Sequence, residues 1–442
     1  MTAHDLPTST IDIVGGGIGG LVAALSLHEH GYDVVVHESV EQVQPLGVGI
    51  NLLPHAVREL DALGLLDALE ASAVTPNTLA YFTAHGQSIW DEPRGRAAGY
   101  NWPQLSIHRG TLQMILHDAA LQRLGPERVI TGHHLVDVVS DDNGATVTYH
   151  RRGDDTTVQH RADIVVAADG IHSAVRRARH PHEGAPLWNG ALLWRGAVAH
   201  APILDGRTMV WAGRPDQKFV AYPISDLDGG RQMINFIAEY RTADRDLPER
   251  EDWNRVGNLD DVLPRFTNWC FDWLNIPTLI ASAPQTFVFP MVDRDPLPTW
   301  NDGRVTLLGD AAHPMYPIGS NGASQAILDA RVLTGCVLAH SNDLDTALAV
   351  YDARRRPTTG AIVLANRGLG PEAPMQLVHE RAPDGFASID DVISRDEILE
   401  VTEGYRRTAG FAPVGQGGAG RSRSSGLRQR PGQLSRHFSL YD

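Results

Sequence analysis

The sequence predicts an α/β protein: a Rossmann-type nucleotide domain assembled from separated stretches, with sheet-rich insertions between them. Three observations carry this. Near the start, a short apolar strand runs into Val14-Gly15-Gly16-Gly17-Ile18-Gly19-Gly20, and a helix and a second apolar strand follow. In the middle, the apolar run 164–168 delivers Asp169-Gly170-Ile171-His172-Ser173-Ala174-Val175-Arg176. Late in the chain, the apolar run 305–309 ends in Gly309-Asp310-Ala311-Ala312-His313-Pro314. Continuous apolar runs of this length, each closed by glycine, are what strands buried on both faces of a parallel sheet require.

The elements follow in order. Residues 11–15 form the first strand. The next helix carries Leu21, Ala24, Leu25 and His28 on one side and stops at Gly31, the usual C-terminal cap. Residues 32–37 are the second strand, closed by Glu38, which completes a β-α-β unit of ordinary length. A helix is predicted over 54–70 from Val57, Leu60, Leu63 and Leu66 at helical spacing. From about 79 to 106 short alternating pieces with tryptophan and proline read as sheet, and 109–124 reads as helix. Strand-like alternation returns from 191 to 240, and helices are predicted over 323–339 and 344–366.

These readings divide the chain. Residues 1–75, 104–182 and 288–375 form the nucleotide domain. Residues 76–103 and 183–287 form a second, sheet-rich domain, 376–413 a C-terminal helical extension, and 414–442 a disordered tail rich in Gly, Ser and Arg.

Composition narrows the function classes. With 38 basic against 53 acidic residues the net charge is −15, which argues against a nucleic-acid partner. Lys218 is the only lysine. Two cysteines, Cys270 and Cys336, cannot build a disulfide framework or a thiolate metal site, and they read as buried free thiols in a reducing compartment. No signal-peptide pattern and no run of 18 apolar residues is present, so a cytoplasmic protein without a transmembrane segment is expected. His133-His134 and His28-Glu29-His30 lack metal-ligand spacing, so no metal is expected.

Gly15, Gly17 and Gly20 fit the dinucleotide fingerprint: a tight turn, close backbone approach to a pyrophosphate, and close helix packing. The helix N-terminus adds amide donors and a partial positive charge. Glu38 is placed to accept from adenosine ribose hydroxyls, and an acid there disfavours a 2′-phosphate. FAD or NAD is therefore expected rather than NADP.

The Asp310 segment separates these two. Here the chain resembles the class A flavoprotein monooxygenases, the FAD-dependent aromatic hydroxylases that include salicylate and p-hydroxybenzoate hydroxylases. The resemblance implies a p-hydroxybenzoate hydroxylase-like fold. It puts Asp310 on the ribityl chain of FAD, and Pro317-Ile318-Gly319-Ser320-Asn321-Gly322, with Ala323 after it, along the isoalloxazine. Amides at that helix N-terminus would stabilise negative charge on reduced flavin. Arg109, within Ser106-Ile-His-Arg-Gly-Thr-Leu112, matches the arginine that reaches the FAD phosphate and ribityl region. Gly47-Val48-Gly49-Ile50 matches the loop beside the flavin ring. Asp169-Gly170, with Ser173 and Arg176, matches a motif tied to both FAD and NAD(P)H. Without these motifs Arg109 and Arg176 would read as ordinary surface ion pairs.

The resemblance extends to the phenazine-pathway members of that family, those acting on 5-methylphenazine-1-carboxylate. It covers most of residues 10–367 and includes Glu92-Pro-Arg-Gly95, Trp194-Arg-Gly196, Ala221-Tyr-Pro-Ile-Ser225, Pro290–Pro298 and Tyr316–Asp329. After about Gly368 the chain departs from them.

What the resemblance implies is an NADH- or NADPH- and O2-dependent hydroxylase of a planar aromatic acid or phenol, acting through a flavin C4a-hydroperoxide, with or without loss of CO2. The chain has no second G-x-G-x-x-G, so the reductant is expected to bind transiently. Partners are then a small aromatic substrate and O2, in a monomer or homodimer. Candidate catalytic or substrate residues are Pro317 and Tyr316, next to the flavin segment, and Tyr222 and Arg195. Trp194, Phe219 and Phe236 are further candidates on strands expected to cover the flavin, and against a substrate role for any of the five strand residues stands a structural ion pair, for Arg195, or packed core, for the aromatics. The alternatives are a same-fold epoxidase, a quinone or polyketide hydroxylase, and a non-catalytic flavoprotein. A halogenase is disfavoured, because Lys218 and Trp273-Leu-Asn-Ile-Pro277 do not form its motif. A hydrolase lacks its G-x-S-x-G elbow.

Overall fold

The computed structural model describes residues 9–242, 255–368 and 370–409, so the predicted tail at 414–442 lies outside the described residues. The first strand, Thr10–Val14, sits centrally in a six-stranded sheet. It pairs in parallel with Asp33–His37 on one side and Ile164–Ala167 on the other, with Ile11 opposite both Val34 and Ile164. Val305–Leu307 extends the sheet in parallel beyond Ile164–Ala167. Ile13, Val36, Val166 and Ala167 are fully buried, as strands covered on both faces must be.

The helix Ile18–Glu29 returns across this sheet and packs on the long helix Gly322–Ala339. Two glycines permit the approach. A Cβ on Gly20 would stand 2.0 Å from the Gly15 carbonyl oxygen, and one on Gly19 would stand 2.6 Å from Leu308. The predicted helix over 54–70 is two helices, Pro54–Ala62 and Leu66–Glu70. Gly64 between them takes the left-handed conformation (φ +70°), which ends the first helix whatever the apolar spacing beyond.

A second sheet has seven strands, in the order Thr286–Asp293, Leu187–His200, Gln232–Arg241, Gln217–Asp226, Thr208–Arg214, Thr78–Phe82, Ser88–Pro93. Its first strand straddles the expected boundary between residues 287 and 288. The face turned away from the parallel sheet carries Trp194, Phe219, Phe236 and Tyr240, packed on Val262, Phe266, Leu279 and Ile280 of two short helices. The other face carries Leu193, Arg195, Lys218, Tyr222, Asn235 and Ile237, together with Phe287 and Phe289.

That division corrects one expectation. Trp194, Phe219 and Phe236 are core residues on the far face, because side chains alternate along a strand and Trp194 cannot share a face with Arg195. Burial of each contributes about 1.5–3 kcal/mol.

A three-stranded antiparallel sheet, His133–Asp141, Gly144–Arg151 and Thr156–Ala162, flanks the parallel sheet. The sequence reading did not identify it. Cys336 is buried as expected, but Cys270 is exposed, on the short hairpin 270–275. Among the described residues no helix is long and apolar enough to cross a membrane.

Candidate active site

The glycine turn opens the site. Gly15 has φ +110°, and its N–H donates to the His37 carbonyl at 2.8 Å. A Cβ on Gly15 would lie 2.4 Å from the Ala168 carbonyl oxygen, so only glycine lets the first strand's exit meet the strand Ile164–Ala167. Gly17 is the N-cap of the helix Ile18–Glu29, and where its Cβ would stand there is nothing within 4 Å. Glu38 braces the turn: its carboxylate accepts from the Gly16 N–H at 2.7 Å and from the Val40 N–H at 2.9 Å.

The Asp169 motif follows its strand directly. One carboxylate oxygen of Asp169 accepts from the Ala174 N–H at 2.8 Å, while Oδ1 is buried with no partner. Burial pushes this carboxyl above its ordinary range, against the hydrogen bonds from Ser173 and the Ala174 amide. Arg176 is 1% exposed and reaches inward. It donates to the Ala312 carbonyl at 2.7 Å, the Ala311 carbonyl at 3.1 Å and the Asp295 carbonyl at 2.9 Å, and pairs with Glu183. Arg176 thus locks the second motif to the third, and its guanidinium is committed to protein.

The third motif rests on a buried charge network that the sequence reading missed. Asp329, on the helix Gly322–Ala339, accepts from the Gly309 N–H at 3.0 Å, meets His313 Nε2 at 2.5 Å and accepts from Arg355 Nε at 2.7 Å. Burial works against its charge, but His313 and Arg355 outweigh it and hold the carboxyl below its usual range. This fixes the turn at Gly309 (φ +61°), which presents Asp310. The Asp310 side chain is exposed but has protein close around it. That loss of bulk water pushes its pKa up, and His313 and Arg109 pull against it. Arg109 itself is exposed; it begins the helix Arg109–Leu124 and lies along Gly47.

Beyond Asp310 the chain runs through buried Tyr316 and exposed Pro317 into a tight turn. Gly319 (φ +67°) and Ser320 (φ +60°) are both left-handed there. Asn321 is fully buried at the N-cap of the helix Gly322–Ala339, and its Oδ1 has no partner. Where a Cβ would stand on Gly170 or Gly322 there is nothing within 4 Å.

Gly49 lies at the other side of the site, on the strand Gly49–Leu52, and three side chains of the seven-stranded sheet hold its peptide. Asn235 accepts from its N–H at 2.7 Å, and Arg195 and Tyr222 donate to its carbonyl at 2.8 and 2.9 Å. Burial pushes the Arg195 guanidinium down, with Tyr222 opposing. Its Nε has no partner, and no carboxylate faces it among the described residues.

The arrangement suits an extended dinucleotide. Open space stands before Gly17, Gly170 and Gly322, and buried acceptors at Asp169 and Asn321 lack donors that ribityl hydroxyls or a flavin ring N–H supply.

Comparison with known proteins agrees. The FAD binding domain family matches residues 8–365. The chain is 46% identical over 401 residues to the phenazine 1,6-dicarboxylic acid hydroxylase PhzS of Lysobacter antibioticus, covering 90% of this chain and 96% of that protein. It is 30% identical over 375 residues to the 3-hydroxybenzoate 6-hydroxylase of Polaromonas naphthalenivorans, covering 83% and 88%. In fold it is similar to Klebsiella pneumoniae HpxO solved with FAD and uric acid, with a TM-score of 0.73 at 23% identity over 94% of this chain and all of that one. The chain belongs to the FAD binding domain family and, within it, to the class A FAD-dependent aromatic monooxygenases.

Proposed function

We propose that this monooxygenase hydroxylates a planar, polycyclic aromatic acid of the phenazine-carboxylate type, with O2 and a nicotinamide reductant. The observation that supports this is Arg195, a half-buried side chain whose Nε is buried without a partner and whose guanidinium meets no carboxylate among the described residues, 5.9 Å from the Phe289 ring. A buried cation is costly unless an anion meets it. Leu193, Phe289 and Tyr316, with Phe287 and Ile237 against them, form an apolar cluster beside it. An aromatic ring bearing a carboxylate matches both halves of that surface. The relative of Lysobacter antibioticus is named for a phenazine dicarboxylic acid, a planar aromatic acid of this kind.

Bound FAD supplies the oxygen-activating redox chemistry. Gly17, at the helix N-cap, would let the pyrophosphate approach, with Gly15 and Gly20 shaping the turn and its packing, and Glu38 would take the adenosine ribose. Arg109, Asp169, Gly170 and Asp310 line the phosphate and ribityl path. Gly49, Gly319, Asn321, Gly322 and Ala323 bound the ring, and the helix N-terminus at Gly322 favours negative charge there. Arg195 and Tyr222 seat Gly49 and turn the remaining guanidinium face to the substrate carboxylate. Tyr316 belongs to that apolar cluster and, with Pro317 next to it, would keep water from the ring.

The experiment is oxidation of NADH and NADPH by the FAD-loaded protein across phenazine carboxylates, benzoates and phenols, with product masses. A tricyclic acid should accelerate oxidation and gain one oxygen or exchange its carboxyl for hydroxyl. Stimulation by neutral phenols alone would remove the carboxylate from the assignment.

A further inference from the structure

The turn that presents the flavin-side amides is held from behind by a helix near the end of the described chain. Tyr405, on the helix Arg395–Thr408, is buried at 7% exposure. Its hydroxyl accepts from Asn321 Nδ2 at 2.6 Å and donates to Asn366 Oδ1 at 2.9 Å. Asn366 in turn donates to the Tyr316 carbonyl at 3.3 Å. One chain of hydrogen bonds therefore runs from Tyr316 through Asn366 and Tyr405 to Asn321, and pins both ends of the turn. Its middle fits the same residue: a Cβ on Gly319 would lie 2.2 Å from the Tyr405 hydroxyl, and one on Gly370 would lie 3.1 Å from its ring. Behind the turn, a cavity of about 20 Å³ bounded by Gly319, Pro371, Tyr405 and Arg94 has room for about one water.

We infer that Tyr405 is a positioning residue for the cofactor turn, and that the C-terminal helix is part of the FAD site. The turn needs such support. Consecutive left-handed residues at Gly319 and Ser320, the second with a side chain, persist only where surroundings impose them. Because Tyr405 engages Asn321 Nδ2, it also sets which way that amide faces, leaving Oδ1 as the open acceptor.

The test uses the full chain, stripped of FAD and titrated with it, so it needs no substrate and stands apart from the substrate assignment. Tyr405→Phe keeps the ring and removes the hydroxyl, and Asn366→Leu breaks the chain one link away. Leu399→Ala, on the exposed side of the same helix, controls for general loosening. Tyr405→Phe and Asn366→Leu should each raise the FAD Kd about five- to tenfold and shift the visible bands of bound FAD, while Leu399→Ala does neither. Parent-like Kd and spectra in both variants would overturn the inference. So would a Kd loss in them that only follows Tm as it does in Leu399→Ala.

Discussion

Arg195 and Tyr222, on neighbouring regions of one sheet face, donate to a single oxygen, the carbonyl of Gly49, at 2.8 and 2.9 Å. From the sequence both are candidate substrate contacts, with an ordinary structural role as the alternative. The structure shows them first as the clamp that joins the seven-stranded sheet to the Gly47–Gly49 loop. Removing one donor leaves the other in place, so Tyr222→Phe should cost about 1 kcal/mol in stability. Turnover should fall by roughly tenfold if the loop's seating sets catalytic geometry. Urea unfolding read beside kcat and KM checks both. An unchanged kcat would show that the clamp has no bearing on catalysis.

Gly49 admits no side chain. A Cβ there would stand 2.6 Å from Asn235 Cβ and 2.7 Å from Ile224. Gly49→Ala should therefore displace the clamp and weaken FAD retention, by roughly tenfold or more for a clash worth about 1–3 kcal/mol. Flavin content after desalting is the measurement. Full occupancy in the variant would show that the loop shifts without cost.

Lys218, the sole lysine, is buried between Glu239 at 3.1 Å and Glu372. Lys218→Met would leave two buried carboxylates facing each other, at a cost of about 3–5 kcal/mol. Burial, with Glu372 adding to it, already pushes Glu239 up, and Lys218 opposes. A carboxyl raised in the folded state contributes stability below its unfolded pKa and loses it as pH rises through the folded one. The variant's deficit should therefore shrink on acidification from about pH 8 to about pH 5, as Glu239 takes up a proton. Denaturation midpoints at both pH values decide it; a pH-independent gap contradicts the electrostatic account.

Asp12, 0% exposed on the first strand, meets His160 Nδ1 at 2.6 Å and accepts from the Tyr149 hydroxyl at 2.7 Å. The hydrogen bond to Asp12 raises the His160 pKa above its ordinary 6.5, against partial burial. Its stabilisation is full below the unfolded value and fades as pH rises through the folded one. His160→Gln should thus destabilise more at about pH 6 than at about pH 9. Equal losses at both would mean that the ring acts through packing alone.

Arg195→Gln tests the substrate reading separately. It retains a donor for Gly49 but removes the charge, so KM for an aromatic acid should rise by at least about tenfold, while that for a neutral phenol changes little. Parallel changes for both ligands would reduce Arg195 to its clamp role.

How far the sequence reaches is visible at particular residues. Gly15, Gly20, Asp169 and Asp310 were legible because each follows a short apolar run, and local chain geometry dictates the turn. Trp194 and Arg195 both stood as candidates, although adjacent strand residues face opposite ways, a rule that alone excludes one of the pair from the site and that the sequence reading did not apply. The split of the helix over 54–70 was signalled by Gly64. The partners Asp329, Arg355, Asn366 and Tyr405 carried no comparable signal, since their pairings span 16 to 84 positions.

By itself the sequence determined the β-α-β unit, the glycine turns and the strand ends that present acids to a dinucleotide, because these depend on backbone conformation within a few residues. Only the tertiary structure decided that Arg176 serves the protein, that Arg195 and Tyr222 share one carbonyl, and that Tyr405 hydrogen-bonds Asn321 and Asn366. Burial and hydrogen-bond satisfaction depend on which segments meet in space, and no local pattern along the chain specifies that meeting.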